Sequence, residues 1–416
     1  DRRVSTGQQP LIFHLITREE ITMAEKKKYT LMNTVAVLSV STLLYLATIN
    51  ASSLAYMVKE FPQYDITTVK LFSTIPSLMM IVCSLLSGKL IQIFPIKKIV
   101  IGCAALMFAA GFGTYFVFNL PAILIMRVIY GMGSGTVFPL ANAIIQQLYE
   151  GEEKARLLGF RAGFGALFGA AVTMVGGWLT SFGWRYAFFG YLFAIPVALL
   201  VLFCCPSNEP IKKESSTAKA GEKKYTKKTF YVLLFAVFFN ACMMSFNVEL
   251  SLVITGENIG GASQVSMVAS TNTIFAFIAG LIFGSLHKKT QRYMAVISTG
   301  LVGLALAILC FAQNFPLFIM CGAIFGLGFG FYNPTYNLLI AGTAAKPKFG
   351  SQAIAIYTSC VGLGQFLSPY LINGVKKLLN LNVLRAEWKI TAVSTLCLVL
   401  GAVIYIIVTG GNKKVS

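Results

Sequence analysis

Charge is scarce in this chain of 416 residues: Asp, Glu, Lys and Arg make up 12% of it, against ~25% in an ordinary soluble domain. A water-facing surface needs polar groups, so this shortage excludes a soluble globule and leaves lipid to coat the chain. Histidine is scarcer still, with only His14 and His287, which leaves little for imidazole catalysis or a His-ligated metal. The nine cysteines form no C-x-x-C pair and no metal-ligand spacing. They read as small apolar packing residues. Acidic residues number 15 against 34 basic ones, a net charge of +19. In a soluble protein that balance would suggest nucleic acid. Here the cations sit between apolar runs, where cytoplasmic loops place them, and no aromatic-basic interleaving accompanies them. We expect no nucleic-acid partner, no metal and no cofactor.

What is abundant is apolar: 56% of residues are hydrophobic and 33 are Phe, with a mean hydropathy of +0.73. A membrane-spanning helix needs ~20 mostly apolar residues, set by the thickness of the hydrocarbon core. Such runs fall near 34–57, 70–93, 98–118, 121–148, 157–180 and 184–205, then near 229–254, 264–286, 293–312, 316–342, 351–374 and 388–409. The chain is therefore read as an all-α integral membrane protein of twelve transmembrane helices in two six-helix halves, 23–205 and 229–416. Between them, 206–228 is rich in Lys, Ser, Glu and Gly and reads as a solvated cytoplasmic linker. Basic loops around Lys97-Lys98, Lys154, Lys288-Lys289 and Lys346 agree with both termini being cytoplasmic. Lys376, Lys377, Arg385 and Lys389 are the dissenting cations, on the outer side. Residues 1–22 differ from the rest. They read as a translated leader ahead of Met23, because Arg18-Glu19-Glu20 can be encoded by a sequence like a bacterial ribosome-binding site, or else as a disordered tail.

The two halves repeat. Shifting 118–145 onto 313–340 aligns Asn119 with Asn314, Pro121 with Pro316 and Ile129 with Ile324. The same shift puts Gly131, Gly133 and Gly135 on Gly326, Gly328 and Gly330, Pro139 on Pro334, and Asn142 on Asn337. Gly88-Lys89-Leu90 and Gly284-Ser285-Leu286 correspond at nearly the same offset. Two similarly oriented sets of six helices form a parallel repeat, which places a substrate site between the halves near the bilayer midplane. Small residues let helix backbones approach closely, and an internal proline permits a bend.

Arg127-Val-Ile-Tyr-Gly131-Met-Gly133 resembles the R-x-x-Q-G-x-G motif of the major facilitator superfamily, with Tyr130 at the Gln position. The segment from Gly88 to Lys98 is similar to that family's G-x-L-x-D-x-x-G-R-[RK] loop, departing from it at Gln92, Pro95 and Ile96. Gly165, Gly169, Gly176-Gly177 and Gly183-Trp184-Arg185 fit the same resemblance. It implies a secondary active transporter of a small solute working by alternating access, and proton coupling.

Ionisable groups within membrane spans are costly, so each is a functional candidate. Arg127 would attract an anionic substrate or favour deprotonation of a coupling acid, unless it snorkels to the interface. Glu249 would bind and release a proton, unless it faces the outer aqueous mouth. Arg161 reads as an interfacial or gate residue. Asn50, Asn142, Asn240, Asn247, Asn272, Asn333, Asn337 and Gln365 are candidate cavity lining, and Tyr332 and Tyr336 could stack on a substrate. Arg127 with few membrane acids points to an organic anion or zwitterionic metabolite; the alternative is efflux of hydrophobic drugs by proton antiport. No nucleophile or acid–base cluster stands at membrane depth, so no enzyme is expected. The chain is expected to work as a monomer in the bacterial cytoplasmic membrane.

Overall fold

Within lipid, a backbone N–H or C=O has no water to bond, so each spanning segment must satisfy its own polar groups. The apolar runs accordingly form helices. The computed structural model describes residues 31–206, 210, 225–291, 293–343, 350–381 and 383–408. Residues 1–22 and most of the 206–228 linker therefore lie outside the described residues.

Twelve helical passages are described. The first is composite: Leu31–Ser39 is α-helical, Val40–Asn50 winds as a 3-10 helix, and Leu54–Glu60 resumes the α-helix. Hydroxyls account for the tightening, because Ser39, Ser41, Thr42 and Thr48 each donate to the carbonyl three residues back. Such bonds favour tight turns over regular α geometry. The second to sixth passages are Ile66–Ile93, Ile96–Phe116, Leu120–Leu148, Gly151–Phe182 and Trp184–Cys204. The seventh to twelfth are Lys227–Gly256, Ala262–Thr290, Tyr293–Leu309, Phe315–Thr343, Gly350–Leu378 and Ala386–Val408. Among the described residues, nine helices are long and apolar enough by themselves to cross a membrane, and Tyr293–Leu309 is a shorter apolar helix.

Several boundaries differ from the sequence expectation by a few residues. The second helix starts at Ile66, not at 70, because Asp65 caps it: its carboxylate accepts the Thr67 N–H at 3.1 Å. Hydrogen bonds from Thr67, its side chain first and its N–H second, hold the Asp65 carboxyl below the usual range. The twelfth helix starts at Ala386, not at 388. A hydropathy window stops at a charge; here the helices continue past one.

The repeat has a packing basis. The Asn119 side chain accepts the Ala122 N–H at 2.9 Å, and Asn314 accepts the Leu317 N–H at 3.2 Å, so equivalent asparagines open the fourth and tenth helices. A Cβ on Gly131 would stand 2.9 Å from Pro76 Cα, and one on Gly135 2.7 Å from Met80 Cα, both on the second helix. A Cβ on Gly326 would stand 2.3 Å from the Asn272 carbonyl oxygen, and one on Gly330 2.3 Å from that of Ala276, both on the eighth. Gly133 and Gly328 similarly meet Met107 of the third helix and Val302 of the ninth. Each half thus uses one glycine-lined helix to draw two neighbours in. Pro139 and Pro334 lie inside the fourth and tenth helices. Gly88 is different: among the described residues nothing lies within 4 Å of where its Cβ would stand, so it draws none of the described helices together.

Two main hydrophobic clusters result. One draws on residues from Ala36 to Cys205, joined by Val248, and the other on residues from Ala236 to Ala392. The halves meet where the second helix packs on the eleventh and the fifth on the eighth.

Replacing Gly131 or Gly326 by Ala forces backbone apart and is expected to cost about 1–3 kcal/mol, as overpacking does. Gly88→Ala has open space and is expected to change stability by about 0.5 kcal/mol or less. Thermal unfolding of the three detergent-solubilised variants checks the contrast.

Candidate functional site

Between the halves lies a cavity of about 910 Å³, within the ~300–1,000 Å³ of small-molecule sites. The first, second, fourth and fifth helices line one side, and the seventh, eighth, tenth and eleventh the other. Its polar lining includes Asn50, Ser73, Ser77, Thr173, Asn247, Asn272, Thr273, Asn333 and Gln365. Tyr45, Phe72, Phe277, Phe283 and Phe329 supply aromatic surface. Gly159 and Gly163 of the fifth helix and Gly280, Leu281 and Phe283 of the eighth carry the lining towards the bundle end where Cys204 and Lys227 lie, here the linker end.

Arg127 lies on this cavity and is 2% exposed. Its guanidinium carbon lies 4.2 Å from the centre of the Phe72 ring, 5.3 Å from that of Phe188 and 5.5 Å from those of Tyr130 and Tyr191. Ring faces attract a cation through their quadrupole, but they do not take its hydrogen bonds. Nη1 donates to the Tyr191 hydroxyl at 2.8 Å, and Asn50 Nδ2 donates to the same oxygen at 2.7 Å. Among the described residues, Arg127 Nε and Nη2 have no hydrogen-bond partner, nor has Asn50 Oδ1. Arg127 forms no ion pair among the described residues. The site therefore holds a caged positive charge with N–H groups left over, beside an amide oxygen able to accept. A snorkelling arginine would reach the interface; this one stays inside.

At the bundle end opposite the linker, hydrogen bonds join the halves. Ser251 Oγ donates to the Ser52 carbonyl at 3.0 Å and accepts the Ala55 N–H at 3.2 Å. Asn373 Nδ2 donates to Thr67 Oγ1 at 2.8 Å. Deeper in, Ser77 Oγ donates to Gln365 Oε1 at 3.0 Å. The strongest element is ionic. Lys70 Nζ lies 2.5 Å from Glu249 Oε1 and 2.5 Å from Glu387 Oε1, with all three side chains 2–3% exposed. Glu249 thus does not face an aqueous mouth; it is buried against a lysine of the other half.

Lys70 and Glu387 escaped sequence reading because each stood at the edge of an apolar run. A signal was present: Lys70 continues the stripe of Ser73 and Ser77 at i, i+3 and i+7, one helix face. Tyr191 and Phe188 were missed for another reason, since their segment is uniformly apolar with no periodic contrast. Several other expectations move. Tyr332 and Tyr336 are packed in the second half's core, ring centroids 4.5 Å apart, with the Tyr332 hydroxyl accepting Asn240 Nδ2 at 2.9 Å. They are absent from the cavity lining, as are Asn142, Asn337 and the half-buried Arg161.

Two homologous helix sets around one central cavity, sealed at one end, are the architecture of a membrane transporter that opens alternately to either side. The Major Facilitator Superfamily model matches residues 31–369 and 232–415, and the chain belongs to that family. The "Bacillibactin exporter" of Bacillus subtilis (strain 168) is 24% identical over 374 residues, spanning 83% of this chain and 88% of that protein. The "Multidrug transporter protein MdtP" of the same organism is 30% identical over 88 residues, 20% of this chain and 15% of its own length. Among solved structures, a mutant of the nucleoside transporter NupG matches with a TM-score of 0.73 at 14% identity, over 90% of this chain and 99% of that one. A POT family transporter in complex with 5-aminolevulinic acid matches with a TM-score of 0.70, also at 14% identity, over 90% of this chain and 95% of that one. These likenesses show the fold.

Removing one partner of a buried ion pair strands the other charge, at about 3–5 kcal/mol. Lys70→Ala is expected to lose that much stability in chemical unfolding. Neutralising the acids as well (Glu249→Gln and Glu387→Gln) should recover most of it, which separates stranded charge from lost side-chain packing.

Proposed function

We propose that this protein moves a small organic anion or zwitterion across the bacterial cytoplasmic membrane by proton-coupled alternating access, as a monomer with both termini in the cytoplasm. The carrying observation is Arg127: a guanidinium buried on the central cavity, held between aromatic faces, with Nε and Nη2 unpaired. A buried cation without a counter-charge is costly, and a carboxylate or phosphate entering the cavity would supply both charge and hydrogen-bond acceptors. The amide side chains of Asn50, Asn247, Asn272, Asn333 and Gln365 would then read the rest of the solute. With the linker in the cytoplasm, the cavity faces inward and the Lys70 end is the closed outer gate.

A second reading, efflux of hydrophobic compounds by proton antiport, is favoured by the aromatic lining and by the exporter and multidrug names of the two relatives. Accumulation of a cationic dye in cells, with and without a proton gradient, separates the two. An anion reader should leave dye levels unchanged.

The direct test is uptake into proteoliposomes of a panel of carboxylates, amino acids and sugars under an imposed pH gradient, comparing the parent with Arg127→Ala. A charge-assisted hydrogen bond is worth about 1.5–3 kcal/mol, so anion uptake is expected to fall by about tenfold or more. Sugar uptake by the parent, or anion uptake that survives Arg127→Ala, would overturn the reading.

A further inference from the structure

The fully buried part of the gate at the Lys70 end has an odd number of charges. Lys70 on the second helix faces Glu249 on the seventh and Glu387 on the twelfth, 2.5 Å from each. The two carboxyls thus converge on a single ammonium. One further charged group approaches: Lys376 Nζ on the eleventh helix, 3.9 Å from Glu387 Oε1, with its side chain 27% exposed. The first helix contributes backbone groups to this closure, the Ser52 carbonyl and the Ala55 N–H, both bonded to Ser251 Oγ of the seventh. Of the other charged groups at this end, Lys59, Lys377 and Lys389 make no ion pair with this cluster among the described residues, and Asp65 caps the second helix. Glu60 accepts from Arg185 and Trp184, and Arg385 forks onto Glu257.

With all three groups ionised, the buried cluster would carry a net negative charge, met among the described residues by the partly exposed Lys376 at 3.9 Å. Burying a net charge is penalised far more heavily than burying a balanced set. A single proton shared between the two carboxyls removes that penalty and turns their repulsion into a hydrogen bond. Separating the halves would take Lys70 away from both acids and admit water. Two hydrated carboxylates have no need of the proton.

We propose that Lys70, Glu249 and Glu387 form the proton-binding site of this transporter, which takes up one proton when the halves close at this end and releases it when they part. The inference rests on the transporter reading above, but not on the identity of the solute. Its sign follows from linkage: the closed state binds one more proton than the open one, so closure is favoured as pH falls. For one proton, the closed-to-open ratio changes by about tenfold per pH unit between the two titration limits.

The test needs no substrate. Ketone-reactive nitroxides on unnatural residues in place of exposed Gln63 and Leu379 report the separation of the halves at this end by pulsed electron resonance, in nanodiscs from pH 5 to pH 9. The short-distance population of the otherwise unaltered chain should grow as pH falls. Glu387→Gln balances Lys70 with Glu249 alone and should stay closed without pH dependence. A pH-independent parent, or a Glu387→Gln variant that titrates like it, would overturn the proposal. Infrared pH-difference spectra of the unlabelled parent give a check independent of the variants. The closed state should show the carbonyl stretch of a protonated carboxylic acid, and its absence would sink the idea. Because neither readout involves transport, failure here leaves the Arg127 reading standing, and failure of anion uptake leaves the latch standing.

Discussion

Inside a lipid-coated bundle a charge or a backbone amide has no water to turn to, and most of this molecule's organisation answers that constraint. The backbone answers it with helices. Once the helices are made, lipid tails offer them no hydrophobic reason to associate, so contact depends on how closely they fit. Gly131, Gly135, Gly326 and Gly330 provide the fit by removing side chains where backbone meets backbone. The same device in both halves gives each a helix clamped to two neighbours, and leaves a cavity between two stiff bodies.

The two buried cations show opposite solutions to the same constraint. Lys70 is matched by carboxylates at 2.5 Å and ties the halves together at one end. Arg127 is surrounded by ring faces and one shared tyrosine hydroxyl, which cushion the charge but leave N–H groups unused. A compact ammonium suits a point contact with two acids; a planar guanidinium suits stacking and forked recognition. One cation is satisfied by carboxylates of the protein itself, and the other lies on the cavity with Nε and Nη2 unpaired among the described residues.

Much of the fold was legible in the sequence, because apolar runs of spanning length and an offset of glycines, prolines and asparagines are one-dimensional signals. Arg127 was legible for the same reason, as a charge in the middle of an apolar run. Lys70 and Glu387 were not. Both stand within a few residues of a helix start, where a charge looks like a boundary, and only the capping bond at Asp65 carries the second helix back past Lys70. Tyr332 and Tyr336 misled in the other direction. Their positions beside Pro334 suggested a cavity wall, but the helix face they occupy turns into the second half's core, where Asn240 and Phe239 receive them.

The sequence by itself determined the environment, the helical class, the two-fold repeat and the presence of an arginine within a membrane span, since each follows from composition or spacing along one chain. Tertiary structure decided which charges meet. Lys70 and Glu387 are 317 positions apart, and no periodicity links them. Their pairing exists only because the two halves close on each other at that end, leaving no water between an ammonium and two carboxyls.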